Sequence, residues 1–479
     1  MRVSQIIAFA AGPAVNALLG LVALPLIAWL FTPEDVGRMS MLYVALSFCI
    51  LFCSLGLDQA YVREYHAEKY RGALLKQVIL PGLIVLLLTC ISFSLSPGSL
   101  TLVLLGYRNT PLSLLIMAVM LCAFLNRFLS LSLRMQERGL AFSMNQLVPR
   151  LVMLCLLGGS SILYSRHTLL QLISAWALGM MVATALLIWL TRGDWHTPFR
   201  RTEATVRLRD MLKFGLPLIP GGLAFWAATT ADRIFVRIYA GFDQLALFSV
   251  AISIAGVAGI LQTIFTTVWT PVIYRRAEAT EEVTDIVTRM TRWMTVVVVC
   301  LFSVTGLLSW SVRYLLPADY AGIKYILVAC LGFPLLLTFS EVTSVGIGLR
   351  RKTIYLLLTS ALTLGVNVFL NAILVPGAGA GGAAAATCLS FWFFLVIRTE
   401  FSRRVWEKTP RYEAYLFTLL CVCAAAMLSL AGDSTERGLV GIWVALLVSV
   451  LFRHRHFIRS EILHLRQRKS GRRKSFLHD

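Results

Sequence analysis

The residues of this sequence best able to do chemistry are ionisable side chains set inside long apolar stretches: Arg127, Arg150, Asp232, Arg233, Arg237 and Glu341. Each costs about 2.5–3.5 kcal/mol or more at the centre of a membrane helix unless it faces protein or water. Arginine offers a planar fork of donors that fits phosphate and carboxylate in a way lysine does not. Arg127, Arg150 and Arg233 are therefore candidates for holding an anion in a water-filled cavity, although Arg150 is equally placed to snorkel to an interface. Glu341 and Asp232 are candidates for carrying H+ or Na+, with a structural ion pair or hydrogen bond as the competing role. Trp226 lies deep in its stretch, where it can stack on a ring, and Asn16 can line a polar path or tie two helices together. Asp58 reads as interfacial.

These side chains need helices to hold them. Of 479 residues, 58% are hydrophobic and 14% charged, and the mean hydropathy of +0.77 is far above that of an ordinary soluble domain. Crossing a hydrocarbon core about 30 Å thick takes roughly 20 apolar residues in a helix, which marks about fourteen stretches. They run over 6–31, 40–57, 74–96, 112–133, 143–164, 168–190, 213–239, 244–270, 293–315, 324–348, 354–375, 381–397, 412–431 and 437–452. Loop charge tests the count, because one missed or invented span would swap the parity of every later loop. Even loops are basic, carrying for example Arg63, Lys69, Arg71 and Lys76, then Arg134 and Arg138, then Arg350, Arg351 and Lys352. Odd loops such as 32–38 and 376–382 are short and carry little basic charge, Arg38 being the one cation in the two. This parity predicts an even number of spans with both termini in the cytoplasm.

The predicted fold is an all-α polytopic membrane protein of about fourteen transmembrane helices. Six spans form an N-lobe over 1–190, a polar cytoplasmic linker occupies 191–212, and six more spans form a C-lobe over 213–398. A terminal helix pair follows over 399–452, and a basic cytoplasmic tail over 453–479. Residues 34–41 follow the first span and residues 243–250 follow the seventh, in the short patterns EDVGRMSM and DQLALFSV. Two repeats entering from the same side imply a parallel pseudo-twofold axis along the membrane normal, with a cavity between the lobes. Pro13 and Pro25 in the first span and Pro217 and Pro220 in the seventh remove backbone donors, which makes them hinge candidates.

The net charge of +20 does not predict a nucleic-acid partner, because the basic residues fall in short bursts between apolar runs rather than on one soluble face. The tail cluster of Arg466, Arg468, Lys469, Arg472, Arg473 and Lys474 fits anionic lipid headgroups or a solvated retention segment. All ten cysteines fall in apolar runs as small packing residues. The histidines, His66, His167 and His196 among them, show no metal spacing. No G-x-x-x-x-G-K-[ST] pattern occurs, and no acid/base constellation gathers in the loops. The expectation is a transporter without cofactor or catalytic residues, not an enzyme.

Several stretches resemble the polysaccharide-exporting branch of the multidrug/oligosaccharidyl-lipid/polysaccharide flippase superfamily, which includes the O-antigen flippases. In the first lobe these are Leu24-Pro25, the turn at 32–37 (TPEDVG) and residues 56–65 (GLDQAYVREY). In the second they are residues 214–221 (FGLPLIPG) leading to Ala231-Asp232-Arg233, and Asn367 and Asn371 before the glycine/alanine run at 377–386. The resemblance implies a two-lobed carrier in a bacterial inner membrane that turns undecaprenyl-diphosphate-linked oligosaccharide repeat units for O-antigen, capsule or exopolysaccharide between leaflets. It also implies a polysaccharide polymerase and a chain-length regulator as downstream partners. The competing expectation is an ion-coupled multidrug exporter of the same superfamily, which an acidic cavity would favour.

Overall fold

A computed structural model describes residues 3–68, 70–163, 167–195, 206–278 and 283–461. Lys69, His196, Arg200, Arg201 and the tail cluster from Arg466 to Lys474 lie outside the described residues, as does the side chain of Pro13. In lipid a helix satisfies its backbone donors and acceptors within its own segment, and the apolar stretches accordingly fold as helices. The first half holds α1 (Val3–Leu30), α2 (Pro33–Cys53), α3 (Leu57–Glu64), α4 (Arg71–Ser94), α5 (Ser99–Leu105), α6 (Thr110–Met135), α7 (Gly139–Leu163) and α8 (Leu169–Leu190). A short α9 (Arg192–Trp195) and α10 (Leu208–Gly215) lead to α11 (Ile219–Ala255), α12 (Ala258–Glu278) and α13 (Val283–Leu308). Then come α14 (Ile323–Cys330), α15 (Gly332–Thr343), α16 (Val345–Leu349), α17 (Ile354–Val405), α18 (Tyr412–Ala431) and α19 (Asp433–Arg453). No strand occurs among the described residues.

Capping side chains place the turns. Thr32 caps α2 by accepting from the Asp35 amide at 3.3 Å, with Pro33 in the first turn and Glu34 and Asp35 favourable to the helix dipole. Asn109 caps α6 through the Leu112 amide at 2.9 Å, and Thr168 and Gln171 form a reciprocal capping box on α8.

Ten helical stretches among the described residues are long and apolar enough to cross a membrane, eleven if the bent pair at 438–461 is one span. The sequence predicts about fourteen. Two of the missing spans reflect continuity, since Leu208–Ala255 and Ile354–Val405 each run across a predicted loop, and another is the first predicted span, of which Leu18–Leu30 is counted as a shorter apolar helix. A straight helix of 52 residues would be about 78 Å long, more than twice the hydrocarbon core. Both long helices break at a glycine in the left-handed region: Gly241 at φ +85° in α11 and Gly379 at φ +52° in α17. The second break frees the Ala380 amide, which donates to the Gln244 side chain at 3.3 Å. Other departures from prediction are local. The tenth predicted span is divided among α14, α15 and α16, the eighth is interrupted near Gly256, and α3, α5 and α10 add short helices at the ends of the bundle.

Two apolar clusters draw on residues 23–177 and 53–211, and a third, built mostly from residues 236–450, reaches across to Ala28, Met41 and Val44 of α1 and α2. Close approach within the second half depends on the glycine/alanine run. Ala380 and Ala383 to Ala386 are buried, and a Cβ on Gly381 would collide with the Ser429 carbonyl of α18. The two halves meet along a seam where α2 lies against α11. At one end a Cβ on Gly37 would collide with the Phe242 carbonyl. Farther along, Ser40 meets Ser249, Ser47 meets Trp226 and Leu51 meets Gly222. At the other end a Cβ on Gly56 would collide with the Gly215 carbonyl of α10. From Gly37 to Gly56 is roughly 28 Å of helical rise, so these contacts lie at opposite ends of the bundle.

Candidate functional site

Beside this seam lies a cavity of about 680 Å³, within the volume range of pockets that hold drug-sized ligands. One face of each helix lines it, as the spacing shows: Ala23, Leu24 and Ile27 from α1, Val36, Ser40, Tyr43 and Ser47 from α2, and Trp226, Thr230 and Arg233 from α11. Steps of three and four residues return a helix to the same side. Beyond the Gly241 break α11 returns with Ser249 and Ser253, while Arg150 enters from α7 and Phe333 from α15.

Arg150 donates to the main-chain carbonyl of Asn16, and its guanidinium packs on Gly20, where a Cβ would lie 2.5 Å from Nη1. A larger residue there would displace the guanidinium. Asn16 thus meets the site through its backbone; its buried side-chain oxygen has no hydrogen-bond partner in the structure. Arg233 reaches back to the Thr229 carbonyl at 3.5 Å, an open contact that leaves its other donors free for a ligand. The two guanidinia come from the two halves of the chain. No carboxylate stands with them among the described lining residues. Trp226 is held by its indole N–H, which donates to Ser47 at 2.9 Å, and its ring packs 5.2 Å from Phe48. Tyr43 packs edge-on against Trp176 at 5.2 Å.

The remaining candidates lie away from the cavity lining. Arg127 pairs with Asp58 at 2.5 Å, with side chains 42% and 9% exposed. Asp58, expected at an interface, is buried because α3 folds back and packs against α6. Asp232, 1% exposed, accepts from the Thr387 hydroxyl of α17 at 3.0 Å and from the Arg233 amide. Nearby on α17, Asn371 donates to the Asn367 side chain at 3.1 Å. Glu341 pairs with Arg398 at 2.7 Å, and Arg398 also donates to Ser340. Helix α1 runs through Pro25 without interruption, whereas Pro217 lies in a 3-10 turn and Pro220 in the first turn of α11. At a helix start the missing proline donor costs nothing. Among the described residues no group of His, Cys, Asp and Glu could hold a metal ion.

Matched contacts close the seam at both ends. At the Gly37 end the Arg38 and Arg237 guanidinia lie over the Phe242 ring at 5.4 and 5.5 Å, and Arg38 also donates to the Leu105 carbonyl at 3.3 Å. Tyr107, in the loop after α5, stands under Arg38 at 5.2 Å. Burial pushes its phenol above the ordinary value against the opposing pull of Arg38. At the Gly56 end Arg63 lies 4.6 Å over the Phe214 ring. There the Val206 backbone is pinned by Glu68 at 3.3 Å and Gln77 at 3.2 Å. Sequence reading missed these phenylalanines and the cavity hydroxyls. The hydroxyls carry a weak signal, their spacing along one face of α2; Phe214 appears only as the first residue of the 214–221 stretch, and Phe242 carries none, since an aromatic in an apolar stretch looks like any other core residue.

The sequence profile of the polysaccharide biosynthesis protein family matches residues 3–277. The chain belongs to that family. Among solved structures, this polysaccharide biosynthesis protein is similar to the lipid II flippase MurJ in an inward closed conformation. Identity is 14%, with 94% of this chain and 100% of that one covered at a TM-score of 0.66. It is also similar to multidrug resistance MATE transporters of the MOP superfamily. The outward-facing form matches at 13% identity and TM-score 0.53, covering 84% of this chain and 95% of that one. The inward-facing form matches at 16% and 0.51, covering 82% and 97%. At such identities the likeness is one of fold: a multi-pass helical membrane protein. No curated protein sequence matches the chain.

Proposed function

We propose that this protein flips undecaprenyl-diphosphate-linked oligosaccharide repeat units, for O-antigen, capsule or exopolysaccharide, across a bacterial inner membrane. The observation that carries the reading is the pairing of Arg150 and Arg233 in one cavity whose described lining holds no carboxylate. In a cavity lined mostly by apolar side chains, two arginines favour a diphosphate and oppose the cationic compounds an acidic exporter cavity would take. Trp226 offers a ring on which a sugar can stack.

The chain crosses the membrane fourteen times in this reading: α11 and α17 each turn back at their glycine breaks, and α1 makes a crossing of its own. Two six-helix lobes over 1–190 and 213–398, the linker and the terminal pair follow the predicted boundaries, with both termini and the Gly56 end cytoplasmic. Transport proceeds by alternating access. It is supported by closures at both ends of one seam, each made of a close glycine contact and an arginine over a phenylalanine, which a rigid-body motion of the lobes can release. Coupling to H+ or Na+ would act at Asp232, buried beside Thr387, in preference to Glu341, which Arg398 neutralises.

The test is complementation. Deleting the gene should abolish surface polysaccharide and accumulate lipid-linked units in the inner leaflet; wild type should restore both, and Arg233→Ala at matched membrane abundance should not. Unchanged surface polysaccharide together with altered sensitivity to cationic drugs would sink the flippase reading.

A further inference from the structure

We infer from the charge balance of the cavity that the glycan carried is electrically neutral and that acidic repeat units are discriminated against. This rests on the flippase reading and narrows its substrate. A diphosphate joining a polyprenol to a sugar carries two ionised phosphoryl groups. Arg150 and Arg233 match them one for one on the cavity surface, where the described lining contains no third cation; the carboxylate next to Arg233, Asp232, is turned away from that lining to Thr387.

Other arginines near the site are already engaged. Arg127 is paired with Asp58 outside the lining, Arg38 is paired with Glu34 at 2.6 Å, and Arg38 and Arg237 both lie over Phe242 where the seam is closed. A hexuronate in the cavity would therefore set a carboxylate without a cation of its own against a mostly apolar lining, and burying an unpaired charge is strongly unfavourable.

The polar groups that remain in the described lining are neutral, Tyr43, Ser47, Trp226, Thr230 and Ser253 among them. Such donors and acceptors suit sugar hydroxyls and acetamides. Trp226 lies seven residues before Arg233 on α11, about 10 Å along the helix axis. With the diphosphate at Arg233, the sugar next to it or the one after lies against the indole. Recognition is then divided, with charge read at the arginines and an uncharged ring at Trp226.

The experiment uses the full protein in liposomes with two probes of equal size: undecaprenyl diphosphate bearing a neutral hexose trisaccharide, and the same compound with a hexuronic acid as its terminal sugar. Flipping is read as the fraction of probe accessible to an added glycosidase. The neutral probe should move at least tenfold faster, and the acidic one should compete with it poorly in wild-type protein. Ser253→Lys, which adds a cation to the lining, should narrow that gap. Equal rates and equal competition by the acidic probe in wild type would overturn the proposal. Failure of both probes to move, in protein that protects neither, would overturn the flippase reading beneath it.

Discussion

Ser40 and Ser249 touch hydroxyl to hydroxyl at 2.6 Å across the α2–α11 seam, and they occupy the same place in the two short repeats at 34–41 and 243–250. Equivalent residues of two copies meet where a twofold or pseudo-twofold axis passes between them, as in an isologous dimer contact. Their contact supports placing the axis beside the cavity, so that each half contributes one arginine to it. Ser40→Cys/Ser249→Cys, in a background free of the ten native cysteines, should form a disulfide under mild oxidation. Transport should stop on oxidation and return with reductant, measured by gel mobility and by probe flipping. No cross-link, or a cross-link that leaves transport intact, would contradict a moving seam at this point.

Arg233 has the freer donors of the two cavity arginines, so it offers the cleaner test of anion binding. A hydrogen bond to a charged group is worth about 1.5–3 kcal/mol, or roughly 10- to 150-fold in affinity. Arg233→Ala should weaken binding of undecaprenyl diphosphate by that factor, and Arg233→Lys should recover only part of it because an ammonium cannot present the planar fork. Isothermal titration in detergent would check both. Arg150→Ala should also disturb α1, since it removes the tie to the Asn16 carbonyl.

The two ends of the seam should open independently. Gly37→Val places a side chain against the Phe242 carbonyl, and Gly215→Val places one against the Leu55 and Gly56 backbone. With a reporter at Ser253→Cys, the first variant should increase labelling by an impermeant thiol reagent added outside and the second by reagent added to inverted vesicles. Phe242→Ala and Phe214→Ala should produce the same two directions more weakly, because they delete a cation–π contact worth about 0.5–2 kcal/mol without inserting an obstruction.

Arg127 tests whether an intramembrane charge serves transport or stability. Removing it leaves Asp58 buried without its cation, a loss of about 3–5 kcal/mol for a fully buried pair and less here because Arg127 is 42% exposed. Arg127→Ala should lower the melting temperature in detergent and the membrane abundance. Asp58→Asn added to it should restore much of the loss. Normal stability with lost transport would instead give Arg127 a part in moving the cargo.

The sequence by itself determined the class of the molecule and the approximate position of nearly every long helix, though not of the short α3, α5, α9 and α10. The cause is the lipid, which forces each apolar stretch of sufficient length to satisfy its own backbone as a helix. The start of α2 at Pro33 rather than 40 corrects the reading of 32–38 as a loop, and its cause is local, since Thr32 caps the helix through the Asp35 amide. Local chemistry did not reveal that α11 and α17 continue as helices to Gly241 and Gly379 and resume at once. That continuity depends on neighbours such as Gln244, which takes up the amide freed at Ala380.

Tertiary structure decided which intramembrane charges face the cavity. Arg127, Arg150 and Arg233 have the same chemistry, and neither the carboxylate next to Arg233 nor the place of Arg150 near a span end says which of them faces the cavity. The fold separates them. A carboxylate from α3 reaches Arg127, a glycine on α1 makes room for Arg150, and the face that α11 turns toward α2 exposes Arg233 while Asp232, one residue earlier and about 100° around the helix, turns to Thr387. Periodicity fixes which residues of a helix share a side, but only the packing of helices far apart in the chain determines which side looks into the cavity.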